Sequence, residues 1–235
     1  MVSVLQPARV IFDPLDRLSA AVEARRWVWP LLFLAAAVSF SGAAFALRWQ
    51  AAPTVIRQLE MSGELQNTTE QDLAQQVVTA RRVRLVAGVA QGMLGAPLLV
   101  LLVALVLKLA GWFFEVPATF ERCFSAAALA MLPVALSHLI LGASMLRQPA
   151  LAESQVAQLV PSSLIALAPH ASTAAQRLLA TVDFFKLWSA GLLGLGFAAA
   201  SGMRRTRALL LGFTLYAMYV GVFAIGIPGM RGGAA

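Results

Sequence analysis

The stretch LVAGVAQGMLGAPLLVLLVALVL, residues 85–107, decides the fold of this chain. It carries no Asp, Glu, Lys or Arg, and it exceeds the ~20 apolar residues that a helix needs to cross roughly 30 Å of hydrocarbon. Because a bilayer core offers no water to the backbone, such a segment satisfies its own N–H and C=O groups as a helix. The stretch is therefore predicted to be a transmembrane helix.

The polar residues before this stretch predict where its helix begins. Thr69-Glu70-Gln71-Asp72 has the spacing of a capping box. In a capping box the side chain of the first residue accepts from the backbone N–H of the fourth, and the side chain of the fourth accepts from the backbone N–H of the first. Gly63 breaks the chain shortly before. We expect the helix that starts here to run directly into the membrane span.

Four further apolar runs lie along the chain, one before residues 85–107 and three after them. The composition agrees with several spans, since 60% of the 235 residues are hydrophobic and 12% are charged, unlike an ordinary soluble domain. We therefore predict an all-α fold, a polytopic membrane helix bundle with about five transmembrane helices. Residues 27–235 form one membrane domain, with spans at about 27–47, 85–107, 123–146, 178–203 and 208–230.

Residues 1–26 precede the first span and are too polar to enter the bilayer core. Asp13 followed by Pro14 is typical of a helix N-cap with proline at the first helical position. Leu15, Leu18 and Val22 then recur at helical spacing, which predicts an amphipathic helix. Two interpretations stay open: its apolar face lies on the membrane surface, or it packs as a cap on the other helices.

Lys and Arg residues gather at the ends of the apolar runs, which indicates the orientation. The short turn holding Arg204, Arg205 and Arg207 contributes most of the bias, and such turns favour the cytoplasmic side. We expect a cytoplasmic N-terminus, a C-terminus outside, and the long loops 48–84 and 147–177 outside. The net charge of +7 is not gathered into one basic stripe, so no nucleic-acid binding is predicted.

Small residues at regular spacing predict close helix packing within the bilayer. Gly88 and Gly92 lie four residues apart in the second span. On the fourth span, a strip of small residues is predicted at Ala190, Gly194, Ala198 and Gly202. The helix that packs on this strip belongs either to this chain or to a partner.

Prolines within the predicted spans are expected to kink their helices. They are Pro30, Pro97 and Pro133.

His138, Asp183 and Lys186 are the ionisable groups within or at the edge of the predicted spans, where burial is costly. His138 is interpreted either as a proton-responsive or ligand-contacting residue or as a neutral histidine bonded to a neighbouring helix. Asp183 and Lys186 either form a local pair at the interface, or hold the start of the fourth helix against its neighbours at a gate or partner surface.

Enzyme chemistry finds little support in the sequence. It contains no HExxH or GxSxG motif, and His138 and His170 are too few for a histidine-rich metal cluster. The lone Cys123 is interpreted as a small hydrophobic residue. No catalytic residues, cofactor or metal site are predicted, and the protein is not expected to be an enzyme.

Three features occur together in the sequence: the five-span layout, the Phe12-Asp13-Pro14 entry, and two internal signatures. The signatures are Thr119-Phe120 leading to Leu132-Pro133, and Val182-Asp183-Phe184-Phe185-Lys186-Leu187-Trp188. In these features the chain resembles the Yip1-domain family of integral membrane proteins. The resemblance implies a non-enzymatic membrane protein with a cytoplasmic N-terminus; eukaryotic members act with small GTPases in vesicle traffic. The long loops depart from a compact pattern, and the Ala- and Arg-rich, Lys-poor composition is typical of a high-GC bacterium, so those partners are not carried over.

Two functional hypotheses follow. The first is a non-catalytic accessory or scaffold protein of the bacterial inner membrane, assisting a complex such as an ABC-type exporter and binding the lipid bilayer and a membrane-protein partner or its own copies. The alternative is a small transporter or channel, with His138, Asp183 and Lys186 along a path between broken helices.

Overall fold

The protein is a bundle of α-helices, as predicted. The computed structural model describes residues 14–160, 162–164, 175, 179 and 181–222. Within them no strand is present, and β-type pairing is limited to two isolated bridges. The helices are α1 (Pro14–Glu23), α2 (Val28–Arg48), α3 (Ala51–Ser62), α4 (Glu70–Ala90), α5 (Ala96–Phe113), α6 (Phe120–Ala130), α7 (Leu132–Leu146), α8 (Phe184–Ser201) and α9 (Arg205–Val220).

Four helical segments among the described residues are long and apolar enough to cross a membrane. The predicted fifth span, 208–230, begins within α9, and its last residues lie outside the described ones. The all-α membrane bundle is thus confirmed as the fold class. The four segments are Val28–Arg48, Glu70–Phe113, Phe120–Leu146 and Phe184–Ser201.

The segment Glu70–Phe113, which we call the long helix, runs without interruption for 44 residues. Thr69 caps its start, its hydroxyl oxygen accepting from Asp72 N at 3.2 Å, so the predicted cap is confirmed. At 1.5 Å per residue the helix is about 66 Å long, roughly twice the hydrocarbon thickness. Its amino-terminal part therefore extends beyond the bilayer.

Two of the three singled-out prolines lie where a helix changes its geometry. Pro97 is the second residue of α5 and follows a π-helical turn, Gln91–Gly95. Pro133 is the second residue of α7, and the non-helical Met131 separates α7 from α6. Pro30 differs from the prediction: it lies in the first turn of α2, where its missing N–H interrupts no intrahelical bond, so it produces no mid-membrane kink.

The main core lies between α1, α5, α6 and α8. It is lined by small residues of α6 and by Phe197, which is fully buried. Cys123 lies among these alanines as a buried free thiol, consistent with its interpretation as a small hydrophobic residue. A second, smaller cluster forms at the other end of α2, around Phe45, Trp49 and Leu151.

Helix α1 packs on the bundle as a cap. Leu18 and Val22 are 1% and 0% exposed within the main core, and Ser125 Oγ donates to Ala21 O at 3.5 Å. Of the two interpretations left open for the N-terminal helix, the structure agrees with the second: its apolar residues Leu18 and Val22 pack on the other helices.

Candidate functional site

The glycines of the second span lie where two helices touch. Gly88 meets Gly42 of α2 so closely that a Cβ added to Gly88 would lie 2.8 Å from the Gly42 carbonyl carbon. A Cβ on Gly92 would collide with Ser39 and come within 2.5 Å of Ala35 O. The predicted contact strip is thus filled by a helix of the same chain.

The small residues of α8 pack against α9. A Cβ on Gly194 would lie 2.6 Å from Ala208 O, and Gly212 of α9 approaches the backbone of Ala190 and Gly194. Ala198 is buried in the main core. Gly202 departs from the prediction: it ends α8 with φ 73°, with nothing within 4 Å of an added Cβ, because a left-handed C-cap requires glycine there.

His138 bonds to a neighbouring helix within the bundle. Its Nδ1 lies 2.8 Å from Ser41 Oγ of α2, and the same hydroxyl donates to Val38 O at 3.0 Å. When the hydroxyl bonds to Val38, the ring Nδ1–H donates to Ser41. Among the described residues no hydrogen bond or ion pair joins His138 to Asp183 or Lys186.

Asp183 serves as the N-cap of α8. One carboxylate oxygen accepts from Phe185 N at 2.9 Å and from Lys186 N at 3.3 Å, and the other accepts a short hydrogen bond from Ser162 Oγ. Among the described ion pairs none joins Asp183 to the Lys186 ammonium. The cap therefore fixes the start of α8 at Phe184, within the predicted span 178–203.

A polar cleft forms where α3 turns back against the protruding part of α4. Gly63, with φ 71°, ends α3 in the left-handed region, and Thr69 starts α4 after a short 3₁₀ turn, Leu65–Asn67. The resulting cleft has a volume of about 810 Å³. About half of its lining residues carry uncharged hydrogen-bonding side chains, and Asp72 lies among them. The uncharged ones are Gln58, Asn67, Thr68, Gln75, Gln76 and Thr79.

Arg84 of α4 lines the cleft and contacts two other segments of the chain. Its guanidinium lies 4.9 Å from the centroid of the Phe45 ring and 5.6 Å from that of Trp49, a cation–π arrangement. The same group forms an ion pair with Glu153 at 3.2 Å. Arg84 thus ties α4 both to the end of α2 and to the segment after α7.

The chain after α7 is strapped to the end of α2 by backbone hydrogen bonds. Leu151 N donates to Arg48 O at 2.7 Å, and Gln50 N donates to Leu151 O at 2.9 Å. Arg48 Nη2 adds a bond to Leu146 O at 3.0 Å. These bonds position Glu153 next to Arg84.

Sequence reasoning did not find this cleft. The Gly63 break and the Thr69 cap indicated a turn between two helices, but only the fold shows that α3 lies back against α4. Within the described part of the chain, no group of three or more His, Cys, Asp or Glu side chains is arranged to hold a metal ion. His170, the second histidine of the sequence, lies outside the described residues.

Comparison with known protein families shows that the family model described as Yip1 domain matches residues 8–225. No curated protein and no solved structure matches the chain.

Proposed function

The chain belongs to the Yip1 domain family of membrane proteins, and from that premise we propose that it is a non-catalytic accessory or scaffold protein of a membrane complex. An ABC-type exporter of the bacterial inner membrane is the kind of assembly we propose it to assist. The orientation remains as proposed from the charges: residues 1–26 cytoplasmic, and the C-terminus of the single domain 27–235 outside.

The polar cleft between α3 and α4 carries this proposal. Its amides and hydroxyls offer donors and acceptors, and one acidic and one basic residue, Asp72 and Arg84, also line it. Such a surface matches an extended polar segment of a partner protein, whose backbone presents alternating donors and acceptors. The protruding part of the long helix holds the cleft outside the bilayer, where a partner's polar segment is accessible.

Affinity purification of the tagged protein, natively expressed and extracted in mild detergent, tests the proposal. We expect one stoichiometric membrane partner, identified by mass spectrometry. A triple variant Gln58→Ala, Gln75→Ala, Gln76→Ala removes amides from the cleft wall and is expected to lose that partner. Gln66→Ala, an exposed amide of the same turn outside the cleft lining, is the matched control. Recovery of an isolated monomer after mild extraction would contradict the accessory role.

A small transporter or channel is the second candidate. It draws support from the hydrogen bond between Ser41 and His138, which lie on two different helices within the bundle. We expect flux in liposomes to vanish in a His138→Ala protein if this candidate holds. Unchanged flux would remove that histidine from any transport mechanism.

A further inference from the structure

The long helix leaves one of its faces uncovered within the span. Only 22% of its most apolar stretch is buried in the protein, against 44% to 56% in the other three spans. Its covered side consists of Ala96, Val100, Ala104 and Leu107, and the opposite side is open. Lipid tails satisfy an apolar side chain on such a face, but they offer nothing to a polar one.

Gln91 is that polar side chain. It lies seven residues beyond Arg84, about 10 Å deeper along the helix, and it is exposed. Among the described residues its amide has no hydrogen-bond partner. An unpaired primary amide in hydrocarbon is costly, and in membranes Gln side chains meet this cost by bonding across helices.

The residues that follow Gln91 on the open face form a regular seam. Gly95 lies beside it, since a Cβ added there would meet only the Gln91 Cγ, at 3.5 Å. The spacing then alternates between three and four residues, as in the contact face of paired helices. A small residue next to the amide lets a second backbone approach closely. The remaining members of the seam are Leu98, Leu102, Leu105, Leu109 and Trp112, each at least 44% exposed.

We propose that this seam binds the same seam of a second copy of the chain, in a parallel two-fold dimer within the bilayer. Every copy inserts in one orientation, so a symmetric pair brings residues of equal depth together. A primary amide is its own complement, because its N–H donates to the carbonyl oxygen of another. The two Gln91 side chains therefore satisfy each other, which a purely apolar partner helix cannot do.

Cysteine cross-linking in native membranes tests the seam geometry. In a Cys123→Ala background, Leu98→Cys places a thiol on the seam, and Leu210→Cys places one on α9, where Leu210 is 64% exposed. We expect oxidation to link Leu98→Cys into dimers at several times the yield of Leu210→Cys. Equal yields would indicate random collision and overturn the proposal.

The dimer dissociation constant in detergent or liposomes tests the amide pair. Gln91→Leu is expected to raise it about three- to thirtyfold, the range for one interhelical hydrogen bond, whereas Gln91→Asn retains most of the affinity. Gln71→Leu, an amide of the same helix outside the span, is the control and should leave it unchanged. Because the Gln91 side chain makes no hydrogen bond to the described residues, its replacement should leave the monomer folded, and the melting temperature of the variant monomer checks this. A Gln91→Leu protein that dimerises as tightly as the parent, or a seam occupied by a different membrane protein, would overturn the proposal.

Discussion

Two glycines of α8, three residues apart, predict opposite responses to the same substitution. In Gly194→Ala, the new Cβ would lie 2.6 Å from Ala208 O and 2.7 Å from Leu209 Cα, both backbone atoms of α9. In Gly191→Ala, the nearest atom is the ring carbon Phe213 Cζ at 3.9 Å, an ordinary contact. Both changes gain about 1 kcal/mol of helix propensity, so the propensity cancels between them.

The difference between these variants therefore measures the close approach of α8 and α9. Overpacking of a contact that cannot yield costs about 1–3 kcal/mol, and backbone atoms yield less than side-chain ends. We expect Gly191→Ala to match or slightly exceed the parent in stability and Gly194→Ala to fall below Gly191→Ala by about 1–3 kcal/mol. Reversible unfolding by SDS in mixed micelles, followed by the fluorescence of the five tryptophans, measures both. Equal stabilities would refute the contact as described.

Three further predictions concern the N-cap of α8, the contacts of Arg84 and the packing of α1 on the bundle. Asp183→Ala should cost about 0.5–2 kcal/mol through the lost N-cap of α8, whereas Asp183→Asn keeps most of it; chemical unfolding that ranks them equally would argue against the cap. Arg84→Ala should speed proteolysis of the segment around Glu153, because its exposed ion pair and cation–π contacts contribute about 1 kcal/mol together, while Arg81→Ala leaves cleavage unchanged. Leu18→Ala should cost about 2–5 kcal/mol of unfolding free energy by opening a cavity in the main core, and a loss below ~1 kcal/mol would contradict the packed cap.

Much of the membrane fold could be predicted from the sequence because its signals are strong and local. An uncharged run such as residues 85–107 has few structural options in a bilayer, and the Thr69 cap is made between residues three apart. Both were confirmed.

The features that sequence reasoning missed depend on where helices begin and end, or on contacts between distant segments. Pro30 was expected to kink a span, but its effect depends on where α2 begins, and the helix start at Val28 makes it harmless. Gly202 fitted the four-residue spacing of small residues, but the helix ends one position earlier, at Ser201, and Gly202 is its C-cap. The cleft exists because α3 folds back on α4, which no local pattern indicates. The exposure of Gln91 likewise depends on which face of its helix the rest of the bundle leaves open.

The continuity of the long helix makes residue count along it a structural variable. One residue inserted between Arg84 and Gln91 would rotate the two parts of the helix by about 100° relative to each other. With the membrane part fixed by Gly92 against α2, that rotation would carry Arg84 away from Phe45 and Trp49 and turn the cleft wall toward another direction. The long helix therefore fixes the direction of the water-exposed cleft relative to the lipid-exposed face. The number of residues between these two surfaces is constrained in addition to the identity of their side chains.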